Sequence, residues 1–257
     1  LIDKARHDRH GIRFGAADPN LENPMSTQTP TTGIPQITGN DSLAHLATTW
    51  AGASRVFHRY GFDFCCHGQV SVADACKKKG IPVEQVLDEV RVETSRAPAR
   101  VRWEEEPLDL VLDHLVEHFH EGHRRELPRL LAMAERVEHV HGDKADCPRG
   151  LAAHLAHVLQ ELEQHMQKEE QILFPMLRAG NGGHAHAPIR VMELEHVEHG
   201  ANLERIRELA HDFVPPPMAC GTWRALYLGL AEFEADVMRH IHLENHVLFP
   251  RALGRCC

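Results

Sequence analysis

The feature that most constrains this chain is an internal repeat. His165-Met-Gln-Lys-Glu169-x-x-x-Leu173-Phe174-Pro175 recurs as His240-Ile-His-Leu-Glu244-x-x-x-Leu248-Phe249-Pro250, with five identities at a constant spacing of 75 residues. A second pair, His120-x-x-His123-x-x-x-Leu127 and His196-x-x-His199-x-x-x-Leu203, recurs at a spacing of 76. Chance resemblance between amphipathic helices is a poor explanation, so the C-terminal part reads as a duplicated helix pair. It has four long amphipathic segments, about 107–141, 149–178, 188–211 and 219–249. They are parted by Gly142 and Pro148, by Asn181-Gly182-Gly183 and by Pro215-Pro216-Pro217. Short connections between long helices favour antiparallel neighbours, hence a four-helix bundle. Pro128 and Pro175 fall inside the first and second segments, where each removes a hydrogen bond and is expected to kink or end its helix.

The repeat also selects its own chemistry. Positions i and i+4 share one helix face, so His165 with Glu169 and His240 with Glu244 can each aim a nitrogen and a carboxylate at one point. One histidine from each remaining segment, His120 and His196, completes a set of four nitrogens and two carboxylates. That stoichiometry suits two metals, each taking two histidines and sharing both glutamates as bridges, with room for an oxo or hydroxo bridge and an open position for a small ligand. Imidazole and carboxylate without thiolate point to iron or manganese; four-coordinate structural zinc has no use for six ligands. A single histidine on an amphipathic helix is more often a surface or hydrogen-bonded residue. Two repeated His-x3-Glu pairs shift that balance, because burying four ionisable groups is costly without a compensating partner. A rival set exists: Glu117-x-x-His120 and Glu193-x-x-His196 match the pattern of ferritin-type di-iron bundles, with Glu169 and Glu244 as lone carboxylates, but it leaves His165 and His240 idle. Glu161 and Asp236, one turn before His165 and His240, are candidates to orient a ligand or relay protons. His114, His118, His123, His199, His242 and His246 lie close enough in sequence to support the ligands.

Upstream, residues 1–38 are rich in Gly, Pro, Asn and Thr and lack apolar periodicity. They read as an extension outside the fold, the first 24 preceding a start-like Met25-Ser26-Thr27 as a cloning remnant or an over-extended reading frame. From Asn40 a polar cap is followed by Leu43, Leu46, Ala47, Trp50, Ala53, Ser54 and Phe57 at helical spacing, which predicts one helix ending at Gly61. Ser71-x-x-Asp74 predicts a capped short helix closed by Gly80, and Pro82 opens another through about Ser95. Residues 41–97 thus form a small helical module, joined to the bundle at 107–253 by a linker running from Pro98 to Pro107. The whole chain is expected to be all-α.

Composition limits the function. With 28 Lys and Arg against 37 Asp and Glu, the net charge of −9 opposes electrostatic attraction to nucleic acid or anionic membrane. No apolar run approaches the roughly 20 residues needed to cross a bilayer. Seven cysteines, two pairs of them adjacent (Cys65-Cys66 and Cys256-Cys257), make no disulfide framework in a chain this long. Reduced thiols and a cytoplasmic location are therefore expected. Neighbouring cysteines cannot easily place two thiolates on one tetrahedral metal, and a disulfide between them is a strained ring. Two readings of Cys65 and Cys66 stay open, a labile redox pair and half-buried inert thiols. The terminal pair is assigned no role.

Several stretches together resemble a known family. They are Asp63-Phe64-Cys65-Cys66, Lys168-Glu169-Glu170-Gln171-Ile172-Leu173-Phe174-Pro175, Pro188-Ile189-x-Val191-Met192-Glu193-x-Glu195-His196, Ala219-Cys220-x-Thr222-Trp223 and Leu243-Glu244-Asn245-x-Val247-Leu248-Phe249-Pro250-Arg251-Ala252-Leu253. The nitrogen-rich site and the Leu-Phe-Pro blocks are similar to the haemerythrin-like fold. The full combination resembles the iron-sulfur cluster repair proteins, also called repair of iron centres, over about residues 41–253. The resemblance implies an antiparallel four-helix bundle preceded by a small helical domain. It also implies two non-haem iron ions held by His120, His165, Glu169, His196, His240 and Glu244. The implied function is recovery of iron-sulfur clusters damaged by nitric oxide or oxidants, through iron donation or nitric oxide processing. Damaged iron-sulfur proteins and nitric oxide or oxygen are the implied partners, and a homodimer is compatible with it. Oxygen or nitric oxide binding and sensing, as in other haemerythrin-like domains, is the alternative function. The resemblance further places Glu161 and Glu195 near the metals, with a role in iron lability or access. His67 stands where relatives commonly have glycine.

Overall fold

The computed structural model describes residues 37–50, 52–96 and 101–254. The start-like Met25, residues 97–100 at the end of the module and the start of the linker, and Cys256-Cys257 lie outside the described residues. Among the described residues an isolated antiparallel bridge joins Ser42 to Ser71, and the regular structure is otherwise helical.

The N-terminal module holds four helices: α1 (Leu43–Thr49), α2 (Ala53–Arg59), α3 (Val72–Lys79) and α4 (Val83–Arg96). The single helix expected between Asn40 and Gly61 is in fact two. Trp50 leaves the helix with an extended backbone and Gly52 adopts φ 95°, a left-handed conformation that glycine alone reaches without strain. The break turns Ala53, Val56 and Phe57 toward the same core as Leu43 and Leu46. Ser71 caps α3 as its spacing predicts, its hydroxyl accepting from the Asp74 amide at 3.1 Å, and Gly80 at φ 67° closes it. Ile37, the second residue before Gly39, is buried in this core, so the fold starts slightly earlier than the composition suggests.

Four long helices follow. In α5, Leu108–His114 passes through a π-helical turn at Leu115–His120 into Glu121–His141. In α6, Leu151–Lys168 passes through a π-turn at Glu169–Leu173 into Phe174–Arg178. Helix α7 is His186–Leu209, and α8 runs Gly221–Leu243, a π-turn at Glu244–Leu248, then Phe249–Ala252. The His165 and His240 blocks thus share backbone shape as well as sequence, whereas the His196 segment lacks the π-turn that ends at His120. Neither Pro128 nor Pro175 ends its helix. Pro128 lies within Glu121–His141. Pro175 and Pro250 each follow a π-turn, closed by the Phe174 amide on the Glu169 carbonyl and the Phe249 amide on the Glu244 carbonyl, and each stands in the first turn of the segment that follows.

Two apolar clusters fill the bundle. One contains Leu127, Leu155, Leu162, Trp223, Tyr227 and Ile241; the other contains Leu112, Leu115, Phe174, Ile189, Leu248 and Phe249. Along α5, α6 and α8 the polar residues selected by the repeat fall between them. The described part of the linker is anchored: Trp103 stacks on His114 with ring centres 4.2 Å apart, and Arg251 donates to the carbonyls of Trp103 and Glu106 at 2.5 and 2.6 Å. No helix among the described residues is long and apolar enough to cross a membrane.

The module rests on the bundle through buried polar contacts. Glu234 of α8 accepts from His58 of α2 at 2.7 Å and from Arg207 of α7. His242 donates through Nδ1 to the Phe64 carbonyl at 3.2 Å, leaving Nε2 to accept from the Thr48 hydroxyl at 2.9 Å. His246 donates to the Cys65 carbonyl at 3.0 Å.

Candidate metal centre

The repeated residues converge. His120, His165, Glu169, His196, His240 and Glu244 are all essentially inaccessible to solvent, none more than 1% exposed. They form two nests that share both carboxylates: His120 and His240 with Glu169 and Glu244, and His165 and His196 with the same two glutamates. In the first nest the Nε2 atoms of His120 and His240 face each other at 3.2 Å; in the second those of His196 and His165 do so at 3.2 Å. Each glutamate sends one oxygen to each nest. Glu169 lies 3.4 Å from His120 Nε2 through Oε2 and 3.5 Å from His165 Nε2 through Oε1. Glu244 lies 3.4 Å from His240 Nε2 through Oε1 and 3.1 Å from His196 Nε2 through Oε2.

The outward ring nitrogens fix the tautomers. His120 Nδ1 donates to Glu170 at 2.7 Å, His165 Nδ1 to Glu195 at 2.9 Å, and His196 Nδ1 to the Asn245 side-chain oxygen at 2.8 Å. With Nδ1 protonated on both His165 and His196, their Nε2 lone pairs point at one another. All four carboxylate oxygens of Glu169 and Glu244 are buried without a hydrogen-bond partner. Lone pairs and carboxylates converging in a dry interior are compensated by cations and by little else, so the donor set fits a pair of metal ions.

The electrostatics agree. Burial and the neighbouring His240 push His120 down to about 2, and burial brings His165 down to about 4. Both rings are therefore neutral at pH 7, the state that ligates metals. Burial, together with the facing Glu244, drives Glu169 far above the usual carboxylate range, because two adjacent dry carboxylates do not both ionise without a cation. Outside the nests, the hydrogen bond from His165 holds Glu195 down to about 2 despite its partial burial, and Lys168 completes the pair.

Aromatic rings wall the site. Phe119 stacks on His240 with centres 5.3 Å apart, Phe174 on His120 at 5.7 Å, and Phe249 on His196 at 5.9 Å. His123 approaches His240 Nδ1 at 3.3 Å, and His199 packs edge-on against His165 at 4.8 Å. The rival scheme finds no support in this geometry, since Glu117 and Glu193 are exposed. Glu195 touches a nest histidine as described. Glu161 instead accepts from Asn202 at 3.2 Å and lies 3.5 Å from His157. Asp236 pairs with Arg239 on its own helix. His114 and His118 stack on each other, His114 on Trp103 and His118 against Phe119.

Cys65 and Cys66 lie where the module meets α7. Asp63 Oδ1 accepts from the amides of Cys65 and Cys66 at 3.2 and 2.8 Å, and Oδ2 from His67 Nδ1 at 2.5 Å. The two sulfurs are 3.7 Å apart as free thiols, and Cys66 Sγ donates to the His196 carbonyl at 3.4 Å. A Cβ on Gly68 would stand 2.3 Å from the Phe64 carbonyl oxygen, so only glycine closes this loop. A cleft of about 800 Å³ opens beside it, bordered by both cysteines, Gly200, Leu203 and Arg207. Sequence reasoning missed Glu170 and Asn245. Each directly follows a selected glutamate at the same spacing of 75, and that shared position was the available signal.

A four-helix bundle enclosing two carboxylate-bridged imidazole pairs is a cation-binding bundle of the haemerythrin type. Residues 111–252 match the Hemerythrin HHE cation binding domain, and residues 39–92 match ScdA_N, a domain of unknown function (DUF542). The chain is 48% identical over 216 residues to the iron-sulfur cluster repair protein YtfE of Pectobacterium carotovorum subsp. carotovorum (strain PC1), covering 83% of this chain and 97% of that relative. It is 45% identical over 214 residues to the YtfE of Yersinia pseudotuberculosis serotype O:1b (strain IP 31758), with the same coverage. The chain belongs to the family of iron-sulfur cluster repair proteins.

Proposed function

We propose that the protein is a di-iron protein that restores iron-sulfur clusters damaged by nitrosative or oxidative stress, by donating iron, by processing nitric oxide, or by both. The observation that carries this reading is the pair of buried glutamates, each with two unpartnered oxygens directed at two facing imidazole pairs. His120, His240, Glu169 and Glu244 would hold one ion; His165, His196 and the same glutamates would hold the other. An iron pair bound there would supply one-electron redox chemistry toward a small ligand such as nitric oxide or oxygen.

The chain's own residues do the rest. Glu170, Glu195 and Asn245 keep the Nδ1 protons of three histidines and so point Nε2 inward. Phe119, Phe174 and Phe249 hold the ring planes and exclude water. Arg124 and Lys168 balance the outer carboxylates Glu170 and Glu195. Cys65 and Cys66 border the cleft and lie against α7, which supports a labile redox or nitrosyl-transfer role for them. The free cysteines among the described residues fit work in the reducing cytoplasm.

The test supplies iron-loaded protein to a cluster enzyme damaged by nitric oxide and compares the wild type with His165→Ala. Recovery by the wild type alone is expected; equal recovery removes the di-iron site from the mechanism. A stable stoichiometric oxygen adduct that passes no iron to the acceptor would instead make the protein a ligand binder or sensor.

A further inference from the structure

We propose that Asn245 is a positioning residue that ties the double-cysteine loop to His196, so that retention of one of the two metal ions depends on the loop's being docked. The inference rests on the di-metal reading above.

The duplication exposes it. At matching positions, Glu170 accepts from His120 Nδ1 and Asn245 accepts from His196 Nδ1. A carboxylate can only accept, whereas an amide accepts and donates. The amide's orientation follows from chemistry: for His196 to offer Nε2 to a cation its Nδ1 must carry the proton, so Asn245 turns its oxygen to His196. Its NH2 then faces the other way, and there it donates to the Cys65 carbonyl at 3.1 Å. The loop grips the same residue a second time, because Cys66 Sγ donates to the His196 main-chain carbonyl at 3.4 Å. His196 is thus held through both side chain and backbone by Cys65-Cys66.

Among the described residues the other half of the repeat has no such connection. Glu170 turns instead to Arg124, which is bound to Glu163 and Glu121, all within α5 and α6. The position built on His120 and His240 is therefore braced inside the bundle. The position built on His165 and His196 is braced partly by the module. Replacement of Glu by Asn at one of two duplicated positions gives the module a mechanical hold on one ion and not on the other.

The experiment uses the full chain loaded anaerobically with ferrous iron. Iron passing to bipyridine is followed by absorbance, and alkylation of Cys66 by iodoacetamide is followed by peptide mass spectrometry. The wild type is expected to lose its two ions in two phases. Prior alkylation of Cys66 should speed one phase by about 10-fold or more, the scale on which partners of metal ligands act, and leave the other unchanged. Asn245→Asp keeps an acceptor for His196 but turns an oxygen toward the Cys65 carbonyl. It should alkylate faster than the wild type, and its iron release should no longer respond to alkylation. A general loss of stability would accelerate both phases, which separates the two explanations. Unchanged thiol reactivity in Asn245→Asp overturns the proposal, as does alkylation that speeds both phases equally or neither. The wild-type alkylation result alone decides the matter if the variant does not fold. A wild type holding fewer than two irons contradicts the di-metal reading instead. Thiol reactivity in the metal-free wild type and variant still reads the tether in that case.

Discussion

A carboxylate buried with neither oxygen hydrogen-bonded costs several kcal/mol unless a cation compensates it, and Glu169 and Glu244 present that cost side by side. Such residues serve function at the expense of stability. Glu169→Met is therefore expected to raise the stability of the metal-free protein by ~1–4 kcal/mol, measured by urea denaturation, while abolishing metal binding. A metal-free Glu169→Met protein less stable than the wild type would show that the carboxylate is structural. His165→Ala should lower bound iron and increase its loss to a chelator, read by metal analysis after gel filtration. The six nest residues were legible in the sequence because duplication repeats them with their spacing. Their partners were less legible: Glu195 came from the family resemblance, whereas Glu170 and Asn245 were assigned no role although each directly follows a selected glutamate at the repeat spacing. His242 and His246 were read as supports for the metal ligands, yet they bind the Phe64 and Cys65 carbonyls. No helical periodicity can announce a partner lying some 180 residues away.

Among the elements, the three π-turns each carry a nest residue: His120 ends the first, and Glu169 and Glu244 begin the others. Proline rules read at single positions expected a kink or an end at Pro128 and Pro175; neither helix ends there, and at Pro175 a π-turn comes directly before the proline's helical segment. The split between α1 and α2 was hidden for a related reason, since the apolar spacing continues across Gly52 while the backbone does not. The contact between α2, α7 and α8 makes a pH-dependent prediction. Burial alone would raise Glu234, but hydrogen bonds from His58 and Arg207 hold it below the usual carboxylate range. A carboxylate whose folded value is depressed adds stability above its unfolded value, near ~4.3, and that contribution disappears as pH falls through the folded value. Glu234→Gln should thus destabilise the protein by about 2–5 kcal/mol at pH 7, since it leaves Arg207 short of its buried partner. The deficit should shrink below pH 4. Thermal melts of both proteins from pH 3 to 8 check this, and a deficit independent of pH would contradict it.

For the molecule as a whole, the apolar clusters at either end of the bundle enclose the polar nests, and the module covers one flank through Glu234, His242 and His246. A ligand that binds only the folded state stabilises it by mass action, ~2.7 kcal/mol at one hundred times its dissociation constant. Ferrous iron should therefore raise the melting temperature and a chelator should return it, with no such shift in a His165→Ala, His240→Ala double variant. The bundle and the existence of a separate helical module could be read from periodicity and turn residues. Their mode of contact could not, because it depends on surfaces that only folding brings together. The most direct test of the central claim is metal analysis combined with Mössbauer spectroscopy of protein expressed with ample iron. Two irons per chain, magnetically coupled through shared bridges, are the predicted result. Fewer than one iron per chain, or uncoupled mononuclear iron, would contradict it.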